Sequence, residues 1–247
     1  MVDPMPTPSK NLRQLRTQLR ALATPEKAKA SAWFFKTGPG EYAEGDQFIG
    51  ITVPELRKIA RGAKQTTRED ALTLLVSPIH EERLLALYLL IHQFEQGSLE
   101  VRQQIYTEYL AHTKYINNWD LVDSSAYHIV GSFLATQSAA AAHKALSGLA
   151  CSPLLWERRI AMVATLHWIK QGQPDHTIFI ANTLLTDKHD LIQKAVGWML
   201  REVGKRCEKE TLEKFLAEHK LQMGRTALRY AIEHFPKEVR KAYLTQR

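Results

Sequence analysis

The stretch Glu157-Arg158-Arg159-Ile160-Ala161 decides the fold, because a comparable string occurs at four other places in the chain. Each copy opens a long apolar segment and ends on an alanine. The other copies are Glu82-Arg83-Leu84-Leu85-Ala86, Val122-Asp123-Ser124-Ser125-Ala126, Leu191-Ile192-Gln193-Lys194-Ala195 and Met223-Gly224-Arg225-Thr226-Ala227. The alanines stand 40, 35, 34 and 32 residues apart. A two-helix repeat produces such spacing, and its small residue lets neighbouring helices approach closely.

The rest of the chain also has a helical pattern. From about Asn11 onward, leucines recur at steps of three and four residues, as at Leu12, Leu15 and Leu19, which is one apolar stripe of a helix. Glycines and prolines mark the breaks between such stripes. These breaks are Gly38-Pro39-Gly40, Ser77-Pro78, Gln96-Gly97-Ser98, Ser152-Pro153 and Gly172-Gln173-Pro174. We therefore predict an all-α fold, a right-handed superhelical solenoid of HEAT-like helical repeats.

The composition is that of a cytosolic protein. Residues 1–9 lack apolar side chains in a core pattern and are predicted to form a disordered arm, which leaves 10–247 as a single domain. No run approaches the length of a membrane span. The two cysteines, Cys151 and Cys207, are isolated, so neither a disulfide framework nor a zinc site is expected. A reducing cytosol is the expected location.

Basic residues recur beside the repeat alanines. The chain has 33 Lys and Arg against 26 Asp and Glu, a formal net charge of +7, which suits a polyanionic partner. Stacked repeats align equivalent positions, so these cations should form a basic stripe, supported by helix N-termini that favour phosphate. Asp123 interrupts the stripe. It is either a helix cap or salt-bridge partner, or a carboxylate held among cations for chemistry. The aligned cations are Arg83, Arg158, Arg159, Lys194 and Arg225.

Three strings are specific when taken together. They are Asn118-Trp119-Asp120-Leu121-Val122-Asp123-Ser124, Trp156-Glu157-Arg158-Arg159-Ile160-Ala161 and Ile192-Gln193-Lys194-Ala195-Val196-Gly197-Trp198-Met199-Leu200-Arg201-Glu202. In order and spacing they resemble the bacterial DNA alkylation repair proteins typified by AlkD, over residues 10 to 235. The resemblance implies a C-shaped solenoid whose concave basic groove holds duplex DNA.

The resemblance also implies a reaction, hydrolysis of the N-glycosidic bond of cationic N3- or N7-alkylated purines. A carboxylate near the sugar can stabilise the oxocarbenium-like deoxyribose and orient water. The family works from the backbone side of DNA, so a base-flipping pocket, a metal and a cofactor are not expected. The implied partner is double-stranded DNA containing alkylated purines. The chain is expected to act as a monomer, without an obligate protein partner and without a membrane.

Matching the motifs implies roles for individual residues. Asp123 takes the place of the carboxylate, while Trp119 and Trp198 match two tryptophans whose electron-rich faces attract positive charge on the sugar. Arg159 matches an arginine that contacts phosphate. For Lys194 and for Arg201, a phosphate contact and a surface salt bridge are both open. The expected DNA-binding residues are Phe34, Arg83, Arg158, Arg159, His167, Lys194, Arg201 and Arg225.

The sequence departs from the family pattern at three places. Phe34 stands where active members have a tyrosine, and His167 stands where they have a lysine. Residues 37–46 form an additional loop with three glycines and three acids, which could be a lid, a DNA contact or plain surface. The other tryptophans, Trp33, Trp156 and Trp168, are expected in the core.

Two further functions therefore stay open beside the glycosylase. The first is a catalytically silent DNA-binding repeat protein that recognises damaged, bent or branched duplexes, which the three departures favour. The second is a scaffold that grips peptides, as helical solenoids frequently do. The basic stripe argues against the scaffold, because peptide binding does not require a continuous row of cations.

Overall fold

The computed structural model describes residues 9–245, and over this part of the chain its secondary structure is helical. These residues contain no β-strand, only an isolated bridge between Gln47 and Ile79. The predicted all-α fold is confirmed. Residues 1–8 of the predicted arm lie outside the described residues, and Ser9 is the N-cap of the first helix.

The helices follow one another with short connections, apart from the longer segment between the second and third. In chain order they are α1 (Lys10–Leu22), α2 (Pro25–Phe34), α3 (Val53–Gly62), α4 (Arg68–Leu75), α5 (His80–Gln96), α6 (Leu99–Ala111), α7 (Trp119–Ala126), α8 (Ser132–Leu134), α9 (Ala139–Ala150), α10 (Leu155–Ala164), α11 (Leu166–Ile169), α12 (Asp175–Thr183), α13 (Asp190–Arg206), α14 (Lys209–His219), α15 (Arg225–Ala231) and α16 (Lys237–Thr245). A short 3-10 turn, Thr113–Tyr115, precedes α7.

Local sequence explains where these helices begin and end. Ser9, Ser98 and Ser138 are N-caps whose hydroxyls accept a backbone N–H of the first turn, which satisfies a donor that has no partner within the helix. Thr52 and Glu55 form a capping box at the start of α3. The glycine and proline breaks predicted from the sequence all fall at or between helix ends.

The chain divides into two compact units, one up to Leu121 and one from Val122 onward. Within the first unit, α5 packs against α3, α4 and α6. Within the second, α13 packs against α10, α12, α14 and α15. Each unit thus has one 17-residue helix at its centre. The handedness of the predicted solenoid and its concave groove stay predictions.

The repeat alanines occupy packed positions. All five are buried, and each lies within the first eight residues of its helix. Two glycines allow a still closer approach. A Cβ atom on Gly131 would lie 2.2 Å from the carbonyl oxygen of Ala164, and one on Gly197 would lie 2.4 Å from that of Ala227. Real Cβ atoms do not come so close, so at both places neighbouring helices meet through their backbones.

One irregular turn interrupts the helix that carries the Trp-Asp motif. After α7 the chain forms a single turn of π-helix, Tyr127–Gly131, and continues directly into α8. Gly131, the last residue of this turn, is the one that touches the backbone at the end of α10. Wide turns of this kind occur frequently at functional sites, and nothing in the repeat pattern predicts this one.

The three tryptophans expected in the core differ in exposure. Trp168 is buried, as predicted, and Trp156 is half-buried. The prediction is wrong for Trp33, which is 83% exposed. Its helix, α2, has no buried residue, so the end of that helix projects its aromatic side chains toward solvent.

Candidate functional site

Helix α7 presents two of the predicted site residues. Trp119 is its first residue and Asp123 follows four residues later, a spacing that puts both on one face of the helix. The side-chain oxygen of Asn118, which is fully buried, accepts the backbone N–H of Trp119 at 2.8 Å. The start of α7 is therefore held by a buried amide rather than by solvent.

Asp123 forms a bidentate ion pair with Arg159. Arg159 Nε lies 2.9 Å from one carboxylate oxygen and Nη2 lies 2.8 Å from the other. The remaining Nη1 donates to the carbonyl oxygen of Leu191. The structure excludes a helix cap, since Asp123 lies inside α7, and shows Asp123 as a salt-bridge partner; its chemical role stays a prediction. The ion pair fixes the orientation of the carboxylate, because two parallel bonds allow one geometry.

The side chain of Arg159 is more buried than a contact with phosphate requires. Its side chain is 6% exposed, and that of Asp123 is 19% exposed. All three guanidinium nitrogens donate to protein groups, and leaving a buried charge without its partner is costly. Arg159 is therefore placed to hold Asp123, and Asp123 is the member of the pair that solvent reaches.

Trp119 lies in an aromatic cluster. Its ring stacks on Phe35 with centroids 5.2 Å apart, and the edge of Phe34 meets it at 5.9 Å. The indole N–H donates to the hydroxyl of Tyr42 at 3.2 Å. Phe34, at the position where a tyrosine was expected, thus contacts Trp119 directly. The hydroxyl nearest the indole comes instead from Tyr42, in the additional loop.

The additional loop, residues 37–46, is held in place at several points. The backbone N–H groups of Gly38 and Gly40 donate to the carboxylates of Glu41 and Glu44, each at 2.9 Å. Gly40 and Gly45 have positive φ angles of 75° and 82°, which few residues other than glycine adopt easily. Two of the three acids of the loop therefore bind the backbone of the loop itself, and the loop packs on Trp119 through Tyr42.

A buried histidine lies behind this cluster. His80, 2% exposed, places Nδ1 at 3.0 Å from Asp46 and Nε2 at 2.8 Å from Asp120. Arg83 also pairs with Asp46. The His80 ring stacks on Phe48 with centroids 4.5 Å apart. Because both ring nitrogens face carboxylates, both donate a hydrogen when the imidazole is protonated.

The pKa of His80 reflects these neighbours. Burial alone would lower its pKa, but the charges and hydrogen bonds of Asp120 and Asp46 outweigh burial and raise it to about 9. For Asp46, burial acts to raise the pKa, and the hydrogen bond from His80 with the charge of Arg83 lowers it below its usual value. His80 is therefore a buried cation at neutral pH.

The sequence did not identify this group. Asp46, His80 and Asp120 come from a loop, the start of α5 and the start of α7, and no short spacing relates them. Only Asp120 could have been singled out from the sequence, since it belongs to the Trp119-Asp120 motif. Pairing distant charges requires knowing which helix starts lie together, and this information is in the packing rather than in any motif.

The cations of the predicted stripe differ strongly in accessibility. Arg83 is 3% exposed and donates to Asp46 and to the carbonyl oxygen of Ser77, so phosphate does not reach it in this structure. The cause is the loop carboxylate Asp46, which covers it. Lys194, whose side chain is 38% exposed, pairs with Asp190 one turn away. Exposed pairs of this type contribute about 0–1 kcal/mol, so Lys194 can exchange its partner.

The other basic residues of this set hold neighbouring chain segments. Arg158 donates to Asp187 and to the carbonyl oxygens of Ser152 and Pro153. Arg225 donates to the carbonyl oxygen of Leu244. Arg201 pairs with Glu202 and Glu233.

On α13, Lys194, Trp198 and Arg201 share one face. They are spaced by four and three residues within the helix, which places them one above the other. Trp198 is half-buried, and the Lys194 and Arg201 side chains are 38% and 19% exposed. This face combines an aromatic ring with two cations that solvent reaches. The predicted roles of the three residues stay predictions.

Lys170 lies close to His167. The sequence motifs did not predict this neighbour. Burial and the charge of Lys170 lower the pKa of His167, so at neutral pH its imidazole is uncharged. Lys170 Nζ lies 3.9 Å from the ring centroid of Tyr127. Lys170 therefore places a positive charge near His167.

Residues 9–245 offer neither a metal site nor a membrane-spanning helix. No group of three or more His, Cys, Asp or Glu side chains in this range could hold a metal ion. Within the same range, no helix has both the length and the apolar composition needed to cross a membrane. Cys151 and Cys207 are free thiols.

Together the fold and the site define an all-helical protein in which a carboxylate of α7 is held by an arginine of α10. Residues 15–235 match the family described as DNA alkylation repair enzyme, and the chain belongs to this family. It is similar to the structure of a predicted DNA alkylation repair enzyme from Enterococcus faecalis, with 20% identity and a TM-score of 0.66 over 87% of this chain and 97% of that one. It is also similar to AlkD2 from Streptococcus mutans, with 17% identity and a TM-score of 0.56 over 74% and 90%. Among curated proteins, none matches the chain.

Proposed function

We propose that the protein is a monofunctional DNA glycosylase that hydrolyses the N-glycosidic bond of cationic N3- or N7-alkylated purines in duplex DNA. The observation that carries this proposal is the Asp123–Arg159 pair. It is a carboxylate with a fixed orientation that solvent reaches, on the helix face that also bears Trp119. Membership of a DNA alkylation repair family supports DNA as the substrate.

In the proposed reaction, the bond between C1′ and N9 of the alkylated purine breaks and its electron pair moves to the base. The base leaves neutral, and the deoxyribose becomes an oxocarbenium ion. Asp123 stabilises this cation by Coulomb attraction and orients the water that adds to C1′. The proton of that water passes to Asp123 or to solvent. Arg159 acts as a positioning residue, through Asp123.

The aromatic and basic residues have separate roles in the proposal. Trp119 and Trp198 offer electron-rich rings to the sugar, an attraction of about 0.5–2 kcal/mol that grows as positive charge develops. Lys194, Arg201 and Lys170 contact the phosphate backbone, since solvent reaches Lys194 and Arg201 and Lys170 lies one turn beyond the predicted contact His167. These contacts set the register of the DNA and carry no sequence information.

The test of this proposal is single-turnover excision from duplex DNA containing 7-methylguanine. Asp123→Asn keeps the shape of the side chain and removes its charge, so we expect excision to slow by about a hundredfold or more while DNA affinity is retained. Glu82→Gln is the matched control, because Glu82 forms a comparable bidentate pair with Arg16 outside the proposed site. Equal excision by Asp123→Asn and wild type would disprove the role of Asp123. Uracil, a neutral base, should not be released.

A catalytically silent DNA-binding protein is the second candidate. It is favoured by the surroundings of Trp119, whose N–H is engaged by Tyr42 and whose ring is stacked on Phe35. The same assay separates the two candidates. Tight binding to duplex DNA without release of 7-methylguanine or 3-methyladenine would establish the silent protein and refute the glycosylase.

A further inference from the structure

Two consecutive residues at the end of α2, Trp33 and Phe34, expose their aromatic rings. Trp33 is 83% exposed and Phe34 is 56% exposed. Single exposed apolar residues are normal on protein surfaces, but a tryptophan exposes more apolar area than any other side chain. Burying such a ring contributes roughly 1.5–3 kcal/mol, a gain that this part of the fold leaves unused.

Backbone hydrogen bonds in the turn after α2 fix the main chain that bears the two rings. The backbone N–H of Thr37 donates to the carbonyl oxygen of Ala32, and that of Lys36 donates to Trp33. Lys36 adopts φ 57°, in the left-handed region, where glycine is the usual residue. A lysine in this conformation costs about 1 kcal/mol. The chain accepts this cost in a turn that fixes Trp33 at its tip, and backbone strain of this kind is often found at binding sites.

Positive charge flanks the exposed tryptophan. Lys29 lies one turn before Trp33 on the same face of α2, and Lys36 lies three residues after it; both are exposed. Within the described residues, no carboxylate lies at salt-bridge distance from either ammonium group. The acids of the neighbouring loop bind backbone N–H groups or lie buried beside His80. An aromatic face between two unpaired lysines suits an aromatic ligand attached to a polyanion.

The end of α2, which bears the exposed pair, lies against the aromatic part of the proposed site. The rings of Phe34 and Trp119 meet edge-on with centroids 5.9 Å apart, and Trp33 is the neighbour of Phe34 in the chain. The helix end that bears Trp33 therefore also contacts Trp119 through Phe34.

We propose that Trp33 is a stacking platform for a nucleobase that has lost its stacking partner in damaged duplex DNA, with Lys29 and Lys36 on the adjoining phosphates. This inference rests on DNA being the ligand, as in the proposed function, and adds the form of DNA that the protein prefers. Stacking of a base on an aromatic side chain contributes about 1–3 kcal/mol and tolerates any base. The platform recognises disrupted stacking, whereas Asp123 acts on the sugar.

The test measures affinity for two duplexes. The first is intact, and the second has the same sequence with one additional, bulged base. Trp33→Leu should weaken binding to the bulged duplex by about 5- to 100-fold and leave the intact duplex nearly unchanged. Trp33→Phe keeps a ring and should stay within about threefold of wild type. Leu99→Ala is the matched control, since Leu99 is also exposed, in α6. As a second readout, bulged DNA should quench wild-type tryptophan fluorescence more than that of Trp33→Phe.

Each outcome decides the question. If Trp33→Leu binds both duplexes as wild type does, or loses affinity equally for both, the platform is wrong. If wild type forms a concentration-dependent dimer that Trp33→Leu abolishes without changing DNA binding, the rings form a contact between copies of the chain, and the proposal is also wrong. If wild type fails to bind any duplex, the proposed function fails as well, which is a different result from a change limited to Trp33.

Discussion

At the scale of single residues, His80 makes the fold depend on pH. Its folded pKa, about 9, lies above the ordinary histidine value of about 6.5. The stability that it contributes is therefore fully present below pH 6.5 and is lost as the pH rises through 9. Asp46 has the opposite dependence, because its pKa is lowered; its contribution is lost as the pH falls below the ordinary range of a carboxyl group.

We expect the free energy of unfolding to decrease between pH 6.5 and 9 by a few kcal/mol, at about 1.4 kcal/mol per unit of pKa difference. Urea unfolding at a series of pH values measures this decrease. Asp120→Asn removes the strongest influence that raises the His80 pKa, so in this variant the loss should begin at lower pH. A wild-type stability that stays constant over this range would show that His80 is not a buried cation.

At the scale of elements, the loop 37–46 restrains the start of α7. Tyr42 accepts the indole N–H of Trp119, and Asp46 anchors the end of the loop beside His80. Tyr42→Phe should cost about 1 kcal/mol in free energy of unfolding, because it leaves the indole N–H without its acceptor. It should also change the fluorescence of Trp119.

Tyr88→Phe is the control for this prediction. The Tyr88 hydroxyl is buried and lacks a hydrogen-bond partner among the described residues, so its removal should be neutral or slightly stabilising. Equal effects of the two substitutions on stability would mean that the contact between Tyr42 and Trp119 contributes nothing.

The helices could be predicted from the sequence, whereas most of the site could not. Periodic leucines and the repeat alanines define the helices and their packed positions, because helix formation depends on local pattern. The same pattern places cations near helix starts, but it does not say which become buried. Arg83 and Arg159 are covered by Asp46 and Asp123, and such pairing depends on segments that are 36 or more residues apart.

At the scale of the whole molecule, net charge should govern DNA binding. With a formal charge of +7, affinity for intact duplex should fall by at least tenfold between about 50 and 200 mM salt, since each neutralised phosphate releases a counterion. Lys194→Ala should weaken binding to all sequences alike and reduce the salt dependence. Arg83→Lys, which changes a buried cation, should leave that dependence unaltered. Affinity that does not change with salt would exclude backbone contacts as the source of binding.

The glycine contacts described above limit how this chain can evolve. Where Gly131 meets Ala164 and where Gly197 meets Ala227, no volume is left for a methyl group. Most positions in a protein tolerate stepwise substitution by side chains of similar size. These two glycines do not, since even alanine would push two helices apart. Gly131 shares its helix with Asp123, and Ala164 ends the helix that bears Arg159. A side chain at position 131 would therefore misalign the carboxylate and the guanidinium, so the geometry of this ion pair depends on a residue that has no side chain.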